Sequence, residues 1–358
     1  MLLLVAHPFA SSLPSALETL ARLQQDGLHG RVVYLGSGAQ QDEGWATLQR
    51  ALQGVRVWHQ LHRSRIGLVG APSEWLVAST PSAGAVASSW GPSLVDIDMQ
   101  ELLSKLWDGG HWEKGEVDQV GGWVGEAGKA GGCPSCGVPA TVDAEPAAKV
   151  YLALRQLVDA HALACCTVRC FDVVSAKETT GCYSLARLLD EGVIAGCEGD
   201  VCSALGMLWG KLMTGQVPWM ANVAQVGRTG GRSPSQRPHH APCRPLLMRT
   251  TTHFESDRGV AFKGAVPPGA VTLLRVGGRA LDRLWVEEGY VLDDRQAQGT
   301  GTEWSPQLCR TQVVRLLGGR PAVEELLVRP LGNHLVMLRG HQRALLEEWF
   351  TQFGPGTK

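Results

Sequence analysis

Apolar and polar positions follow two different periods along the first third of the chain. Four short apolar runs have the length and composition of buried strands, and they occupy residues 2–6, 31–35, 66–71 and 94–98. Segments with helical spacing of apolar residues separate or follow them, at 16–23, 45–52 and 99–107. This alternation predicts a Rossmann-like, doubly wound α/β fold, in which helices cover both faces of a parallel sheet.

The α/β pattern is interrupted once and then continues. Residues 109–145 contain repeated Gly-Gly pairs and sustain neither period, which predicts a loop or a locally ordered insertion. Beyond this stretch the helical and strand patterns resume, with helices predicted at 147–160, 183–190 and 201–213 and strands at 165–171, 193–197 and 218–222.

The last third of the chain has a different character. Residues 228–245 are rich in Gly, Ser, Pro, Arg and His, as is typical of a boundary. Strand patterns then dominate up to a final amphipathic helix at 342–350, which predicts a mostly antiparallel, barrel-like domain. We therefore divide the chain into a partial N-terminal α/β domain (1–65), a central α/β domain with the glycine-rich insertion (66–227) and a C-terminal β-rich domain (228–358).

Composition and charge exclude several classes of protein. Hydrophobic residues make up 44% of the chain, too many for a disordered protein, and the 33 basic and 34 acidic side chains nearly cancel. A net charge of −1 argues against a nucleic-acid partner and against binding to an anionic membrane surface. Because the sequence contains no apolar run long enough for a transmembrane helix and no basic leader, we expect a cytoplasmic protein.

The ten cysteines suggest buried thiols more than disulfides. Cys133 and Cys136 form a single CxxC motif in the glycine-rich stretch. A structural zinc site needs four ligands, and no second CxxC motif lies nearby. A zinc or redox protein built on this pair stays open as an alternative.

Polar chemistry is concentrated after two of the predicted strands. Glu178 follows one of them, and Glu198 and Asp200 follow the next. Ligands of open α/β sheets bind at the carboxyl ends of strands, so these carboxylates are predicted to share a cleft. Two plainer interpretations remain: Asp200 can simply cap the helix 201–213, and Glu198 can lie in a solvated turn.

Histidines near the C-terminus form weaker signals. Asn333 and His334 stand at the entry to a short strand, and His253 and Glu255 lie in a Thr-His-Phe-Glu run. A single histidine is more often a core or surface group than a ligand, so none of these runs carries an assignment alone.

Taken in order, however, the segments resemble the L-fucose isomerase / L-arabinose isomerase superfamily of sugar isomerases over nearly the whole chain. The matching runs are Ser12-Leu-Pro-Ser-Ala-Leu-Glu18, Gly67-Leu-Val-Gly-Ala-Pro-Ser-Glu-Trp75, Thr167-Val-Arg-Cys-Phe171, Thr179-Thr-Gly-Cys182, Gly196-Cys-Glu-Gly-Asp200, Pro218-Trp-Met-Ala-Asn222, Thr252-His-Phe-Glu-Ser256, Cys309-Arg-Thr-Gln312 and Gly332-Asn-His334. The Cys-Glu-Gly-Asp and Gly-Asn-His runs are the most specific of them.

The resemblance implies an aldose–ketose isomerase that acts on a pentose, hexose or deoxy-sugar through an enediol. It implies a divalent metal, most often Mn²⁺ with Mg²⁺ or Co²⁺ as alternatives, held by Glu178, Asp200 and His334. Glu178 and Asp200 would also transfer protons. Contacts to the sugar are expected from a further set of side chains, namely Glu198, His253, Glu255, Arg310 and Asn333. Glu198 is the substitute candidate for the role of Glu178.

The resemblance also implies a homo-oligomer, a trimer or a hexamer. Family members carry a longer N-terminal α/β domain, and this sequence enters that domain part-way, at the strand 2–6. A non-catalytic sugar-binding or regulatory relative with the same fold is therefore the alternative function.

Overall fold

A computed structural model describes residues 2–38, 40–107, 112–129, 142–226, 234–238, 247–253, 256–292 and 312–355. Helices and strands alternate in its first two thirds, and strands dominate the remainder. The helices are α1 (Ser12–Gln25), α2 (Gln40–Arg63), α3 (Ala83–Trp90), α4 (Met99–Trp107), α5 (Lys114–Lys129), α6 (Ala144–Ala160), α7 (Cys170–Lys177), α8 (Cys182–Asp190), α9 (Val201–Thr214), α10 (Gly319–Val328) and α11 (Arg343–Phe353). The strands are β1 (Leu2–Ala6), β2 (Gly30–Tyr34), β3 (Arg65–Val69), β4 (Ser93–Ile97), β5 (Cys165–Val168), β6 (Ile194–Cys197), β7 (Trp219–Val226), β8 (Pro234–Pro238), β9 (Leu247–Thr251), β10 (Ala261–Ala265), β11 (Gly269–Gly277), β12 (Arg283–Val291), β13 (Gln312–Leu316) and β14 (His334–Arg339).

The α/β part of the chain contains two parallel sheets. Strands β1 and β2 pair with each other, and four further strands form a sheet in the order β4-β3-β5-β6. Every residue of β5 and β6 is buried, as expected for central parallel strands that are covered on both faces. The order brings the carboxyl ends of β3, β5 and β6 to one edge, which is where the polar runs follow.

The C-terminal strands close into an antiparallel barrel in the order β11-β12-β13-β8-β7-β14, and β9 and β10 form a separate antiparallel pair. The predicted fold class, parallel α/β sheets followed by a mostly antiparallel barrel, is thus confirmed. Strand β7 pairs with β14 and β8, so it belongs structurally to the barrel although its residues precede the proposed boundary at 227. The division into three domains stays a prediction.

The sequence leaves one segment open between two expectations. The stretch 109–145 is expected to be a loop or a locally ordered insertion, and it contains the helix α5, whose position the sequence did not predict. Val117, Val120 and Val124 lie on one buried face of this helix, at spacings of three and four residues. The many glycines conceal that period in the sequence. Cys133 and Cys136 lie outside the described residues.

A cluster of tryptophans joins three helices behind the parallel sheet. Trp90 of α3 lies with its ring centroid 5.2 Å from that of Trp209 on α9 and 5.6 Å from that of Trp349 on α11. The Trp90 indole also donates a hydrogen bond to the carbonyl oxygen of Leu281, which joins α3 to the barrel. None of the helices in the described parts of the chain has both the length and the apolar character that crossing a bilayer requires.

We expect Trp90→Ala to lower the free energy of unfolding by about 3–5 kcal/mol, because it removes a buried ring and leaves a cavity among its aromatic neighbours. Trp45→Ala is the matched control, since 47% of the Trp45 side chain is exposed. Guanidinium denaturation followed by circular dichroism measures both variants. Equal losses in the two would contradict the role of the cluster.

Candidate active site

A tight turn between β6 and α9 places the two central carboxylates. Glu198 and Gly199 both have positive φ angles, 64° and 71°. A Cβ atom at position 199 would lie 2.7 Å from the Cα of Pro72, so only glycine fits there. Asp200 then caps α9 by accepting a hydrogen bond of 2.7 Å from the backbone N–H of Ser203. The Cys-Glu-Gly-Asp sequence therefore determines this turn, through the glycine at 199 and the capping carboxylate of Asp200.

Asp200 is completely buried and has three polar partners. Besides the Ser203 amide, its carboxylate accepts hydrogen bonds from Arg275 Nη1 at 3.0 Å and lies 2.7 Å from His334 Nδ1. Burial disfavours the charged carboxylate, but the Arg275 guanidinium, His334 and the Ser203 amide together hold the pKa of Asp200 well below its ordinary value. The carboxylate therefore stays ionised inside the protein.

His334 opens β14 opposite Asn222 of β7, and its side chain is buried between two carboxylates. Because a carboxylate can only accept, Nδ1 carries the proton in the 2.7 Å contact with Asp200, and Nε2 faces Glu198 Oε1 at 3.7 Å. Burial alone would lower the pKa of His334, but Asp200 and Glu198 outweigh it and raise that pKa. Three side chains thus form one chain of groups: Asp200, His334, Glu198.

Glu198 is fixed from its other side by the segment that follows β3. The Trp75 indole N–H donates a hydrogen bond of 2.7 Å to Glu198 Oε2, and the Ser73 amide donates one of 2.8 Å to the Glu198 carbonyl oxygen. The Trp75 ring meets Phe171, which follows β5, edge to face at 5.5 Å. The segments after β3, β5 and β6 therefore converge on one carboxylate.

The Glu198 carboxylate lines a pocket of about 500 Å³, which is within the size range of small-molecule sites. The lining residues combine two aromatic rings, one carboxylate and two amides: Trp75, Phe171, Glu198, Asn222 and Asn333. The Asn333 amide donates to the Asn222 side-chain oxygen at 3.2 Å. The pocket offers apolar faces and hydrogen-bonding groups side by side, as a sugar requires.

Of the residues proposed from sequence, the structure brings together Glu198, Asp200, His334 and Asn333. His253 lies at the margin, edge to face with Phe171 at 5.9 Å, and burial lowers its pKa. Glu255 and Arg310 lie outside the described residues. Asp200 does cap the helix, as the plainer interpretation held, while Glu198 is buried and not in a solvated turn.

Glu178 is placed differently from its predicted position in a shared cleft with Asp200. It ends α7 with a φ of 54°, its side chain is 76% exposed, and it pairs with Arg258 at 2.5 Å. The reason is local: α7 carries the chain away from the end of β5 before Glu178 is reached. The proposed metal-binding and catalytic roles of Glu178 stay predictions.

Four residues that sequence reasoning did not select complete the site: Trp75, Phe171, Asn222 and Arg275. The first three stand in quoted motifs that carry no assigned role at those positions. Arg275 is a single charged residue within the apolar run of β11, and that break in an apolar strand is the signal that marks it.

The described residues contain no group of three or more His, Cys, Asp or Glu side chains arranged to hold a metal ion. The Asp200 oxygens are already engaged by Ser203, Arg275 and His334. The two atoms that face each other and could serve as metal ligands are Glu198 Oε1 and His334 Nε2. Asp200 holds the other nitrogen of the imidazole, in the way that carboxylates support metal-binding histidines.

Acid should weaken the fold through Asp200. A lowered folded-state pKa adds stability that is complete above the unfolded value of about 3.9 and is lost as the pH falls towards the folded value. We expect Asp200→Asn to lose about 3 kcal/mol of unfolding free energy at pH 7, because it leaves Arg275 buried without its counter-charge. Urea denaturation between pH 7 and 2.5 should show a shallower pH dependence in the variant; parallel curves would contradict this.

Comparison of the sequence with known proteins finds low similarity to two sugar isomerases. No family model matches the chain. The sulfoquinovose isomerase of Alkalicoccus urumqiensis is 27% identical over 161 residues, which cover 42% of this chain and 36% of that protein. The sulfoquinovose isomerase of Clostridium sp. (strain MSTE9) is 22% identical over 276 residues, covering 71% of this chain and 59% of that protein. The chain thus spans less than two thirds of each relative, and its similarity to them supports a sugar-isomerase superfamily and nothing narrower.

Proposed function

We propose that this protein is an aldose–ketose isomerase that acts on a sugar bound in the pocket beside Glu198. The observation that carries the proposal is the buried Asp200–His334–Glu198 chain, which ends at a pocket with aromatic and amide walls. The two relatives, both named as isomerases of a sugar, support the same class of reaction.

The reaction defines what the site must supply. An aldose becomes a ketose when a proton moves from C2 to C1 and another moves between the two neighbouring oxygens. One group must accept and return the carbon-bound proton, and a second must stabilise the charge that develops on oxygen. Both must lie within a few ångströms of the same two carbon atoms.

Glu198 fits the first role. A carboxylate can take the proton from one carbon and return it to the next without moving far. Its Oε2 is fixed by the Trp75 indole at 2.7 Å, which leaves Oε1 directed towards the pocket side of His334. A held carboxylate loses little freedom when the sugar binds, and this lowers the cost of reaching the reactive geometry.

His334 fits the second role. Its Nε2 atom is 3.7 Å from Glu198 Oε1, and the imidazole is buried directly behind that carboxylate. In this proposal one sugar oxygen would contact the imidazole at the edge of Glu198 while the adjacent carbon faces the carboxylate. Asp200 fixes the ring orientation through Nδ1 at 2.7 Å. Asp200 therefore acts through His334 and does not itself touch the sugar, in contrast to its predicted role in proton transfer.

The pocket walls suggest how a sugar is held. The apolar faces of Trp75 and Phe171 suit the C–H faces of a sugar ring or chain, and the amides of Asn222 and Asn333 suit its hydroxyl groups. A pentose, hexose or deoxy-sugar matches this lining, and the names of the relatives add a sulfonated sugar as a candidate. His253, Glu255 and Arg310 remain proposed contacts to the distal part of the substrate.

A divalent cation, Mn²⁺ first, remains part of the proposal. Glu198 and the unprotonated Nε2 of His334 would hold it, and the ion would then supply the charge stabilisation that is otherwise assigned to the imidazole. When bound, such an ion polarises the carbonyl oxygen and stabilises negative charge on it. We also propose the homo-oligomer and the cytoplasmic location that the sequence leads us to expect.

Replacing the proposed proton-transfer group tests the assignment directly. We expect Glu198→Gln to lower kcat by about 10²–10⁴-fold, since glutamine cannot accept the proton. Glu178→Gln is the matched control, and its kcat should stay within about twofold of wild type because Glu178 is exposed and paired with Arg258. Interconversion of pentoses, hexoses, deoxy-sugars and sulfoquinovose is followed by NMR.

A reversed result, with Glu178→Gln inactive and Glu198→Gln active, would instead support the ligand set expected from the family resemblance. Sugar binding by calorimetry without turnover of any sugar by the wild-type protein would contradict the proposed activity and support the non-catalytic alternative.

Metal removal separates the cation from the protein groups. We expect wild-type protein to bind about one Mn²⁺ per chain and to lose most of its activity after chelation and gel filtration, with recovery when Mn²⁺ is restored. Glu198→Gln should bind the ion more weakly, as measured by elemental analysis. Full activity of protein with no measurable metal would remove the cation from the proposal and leave Glu198 and His334 as the working groups.

A further inference from the structure

Three of the chain segments that line or support the pocket come from distant parts of the sequence. The segment 70–82 carries Trp75, the turn 197–200 carries Glu198, and the segment 329–333 leads into His334. Their relative placement decides whether the aromatic wall, the carboxylate and the imidazole face one sugar. One side chain, Arg275 of the barrel strand β11, contacts all three.

The Nη1 side of this guanidinium faces the acid–base groups. Nη1 donates to both Asp200 oxygens, at 3.3 and 3.0 Å, and to the Ser203 hydroxyl at 2.5 Å. Both partners belong to the N-terminal turn of α9. This arm therefore fixes Asp200, and through Asp200 it fixes the ring of His334.

The other two guanidinium nitrogens, Nη2 and Nε, face the segments 70–82 and 329–333. Nη2 donates to the Ser79 hydroxyl at 2.5 Å, four residues after Trp75, and Nε donates to the Leu331 carbonyl oxygen at 3.4 Å. Gly332 has a φ of 146°, and a Cβ there would lie 2.5 Å from Nη2. Glycine at 332 is thus what lets the chain pass close over the guanidinium just before Asn333.

We propose that Arg275 is the positioning residue of the active site, and that its two arms control different steps. The Nη1 arm sets the geometry of the Asp200–His334 pair and so affects the chemical step, while the Nη2 arm holds the Trp75 wall and so affects sugar binding. This inference rests on the proposed isomerase function and adds to it a residue that touches neither the sugar nor the reacting atoms.

The physical basis is the shape of the guanidinium. Arg275 is 1% exposed and remains charged, and its planar fork directs several donors along fixed directions at once. A lysine ammonium is a compact point charge on a flexible stem, so it can neutralise Asp200 but cannot reach Ser79, Ser203 and Leu331 together. Arg275→Lys keeps the charge and loses the geometry.

Two buried serines allow each arm to be removed separately. Ser79 is 1% exposed and Ser203 is fully buried, and each hydroxyl accepts a hydrogen bond of 2.5 Å from the same guanidinium. In Ser203→Ala the backbone N–H that caps Asp200 remains. Alanine at either position deletes one hydrogen bond to a charged group, which corresponds to about a tenfold effect on the step that depends on it.

The test compares kcat and KM in the full-length chain. We expect Ser79→Ala to raise KM about tenfold while kcat changes by less than about threefold, and Ser203→Ala to lower kcat about tenfold at nearly constant KM. Arg275→Lys should change both constants. Thr272→Val is the control, because Thr272 lies on the same strand and its buried hydroxyl donates to the Gly340 carbonyl oxygen, away from the site. It should lower the melting temperature and leave both constants unchanged.

Equal effects of the two serine variants on both constants, or no effect of either, would overturn the inference while leaving the isomerase proposal standing. A wild-type protein that binds a sugar without turnover would overturn the isomerase proposal instead. The inference is then decided by calorimetry: Ser79→Ala should weaken sugar binding about tenfold and Ser203→Ala should not. Equal weakening, or no sugar binding by the wild-type protein, would overturn it.

Discussion

A charge that is buried beside its counter-charge organises this protein. The Asp200 carboxylate and the Arg275 guanidinium are almost wholly removed from water, at 3.0 Å from each other. Removing either one alone leaves the other uncompensated in a low-dielectric interior, so the two segments that carry them are constrained together. Asp200 belongs to the α/β part of the chain and Arg275 to the barrel, so this pair couples the two architectures at the pocket.

The same pair explains the order of the polar groups. Asp200 is saturated by the Ser203 amide, Arg275 and His334, and it therefore orients the imidazole without facing the pocket. His334 transmits that constraint to Glu198, 3.7 Å away, and the Trp75 indole holds Glu198 through its other carboxylate oxygen. Glu198, the group closest to the proposed substrate, is thus held by Trp75 and His334, and His334 is itself held by Asp200. Precise proton transfer requires such fixed geometry.

Much of the fold follows from patterns that are visible in the sequence. Strand β6 and helix α9 are predicted to within one residue at each end, because their burial is uniform and their boundaries are marked by glycine and Asp200. The strand predicted at 165–171 begins where β5 does but is three residues too long, because the chain turns into α7 at Cys170. Helix α5 escapes prediction because glycines dilute its apolar period. Strand β8 escapes because proline and serine in a polar stretch read as a loop, and only pairing with β7 and β13 makes it a strand.

The site is predictable in part for the same kind of reason. Glu198, Asp200, Asn333 and His334 stand directly after or at the start of strands, where topology fixes their place. Glu178 and Arg275 show the limit of that rule: Glu178 is separated from its strand by a helix, and the role of Arg275 depends on contacts with residues 56 to 196 positions away in the chain. Only the folded structure brings such partners together.

The central claim is that a carboxylate moves a proton between two adjacent sugar carbons. The most direct test is isomerisation in deuterated water with analysis of the product by NMR. Proton transfer by a side chain predicts that deuterium from the solvent enters the product at the carbon that receives the proton. Deuterium uptake by Glu198→Gln at the wild-type rate would contradict the account, because a group other than Glu198 would then carry the proton between the carbons.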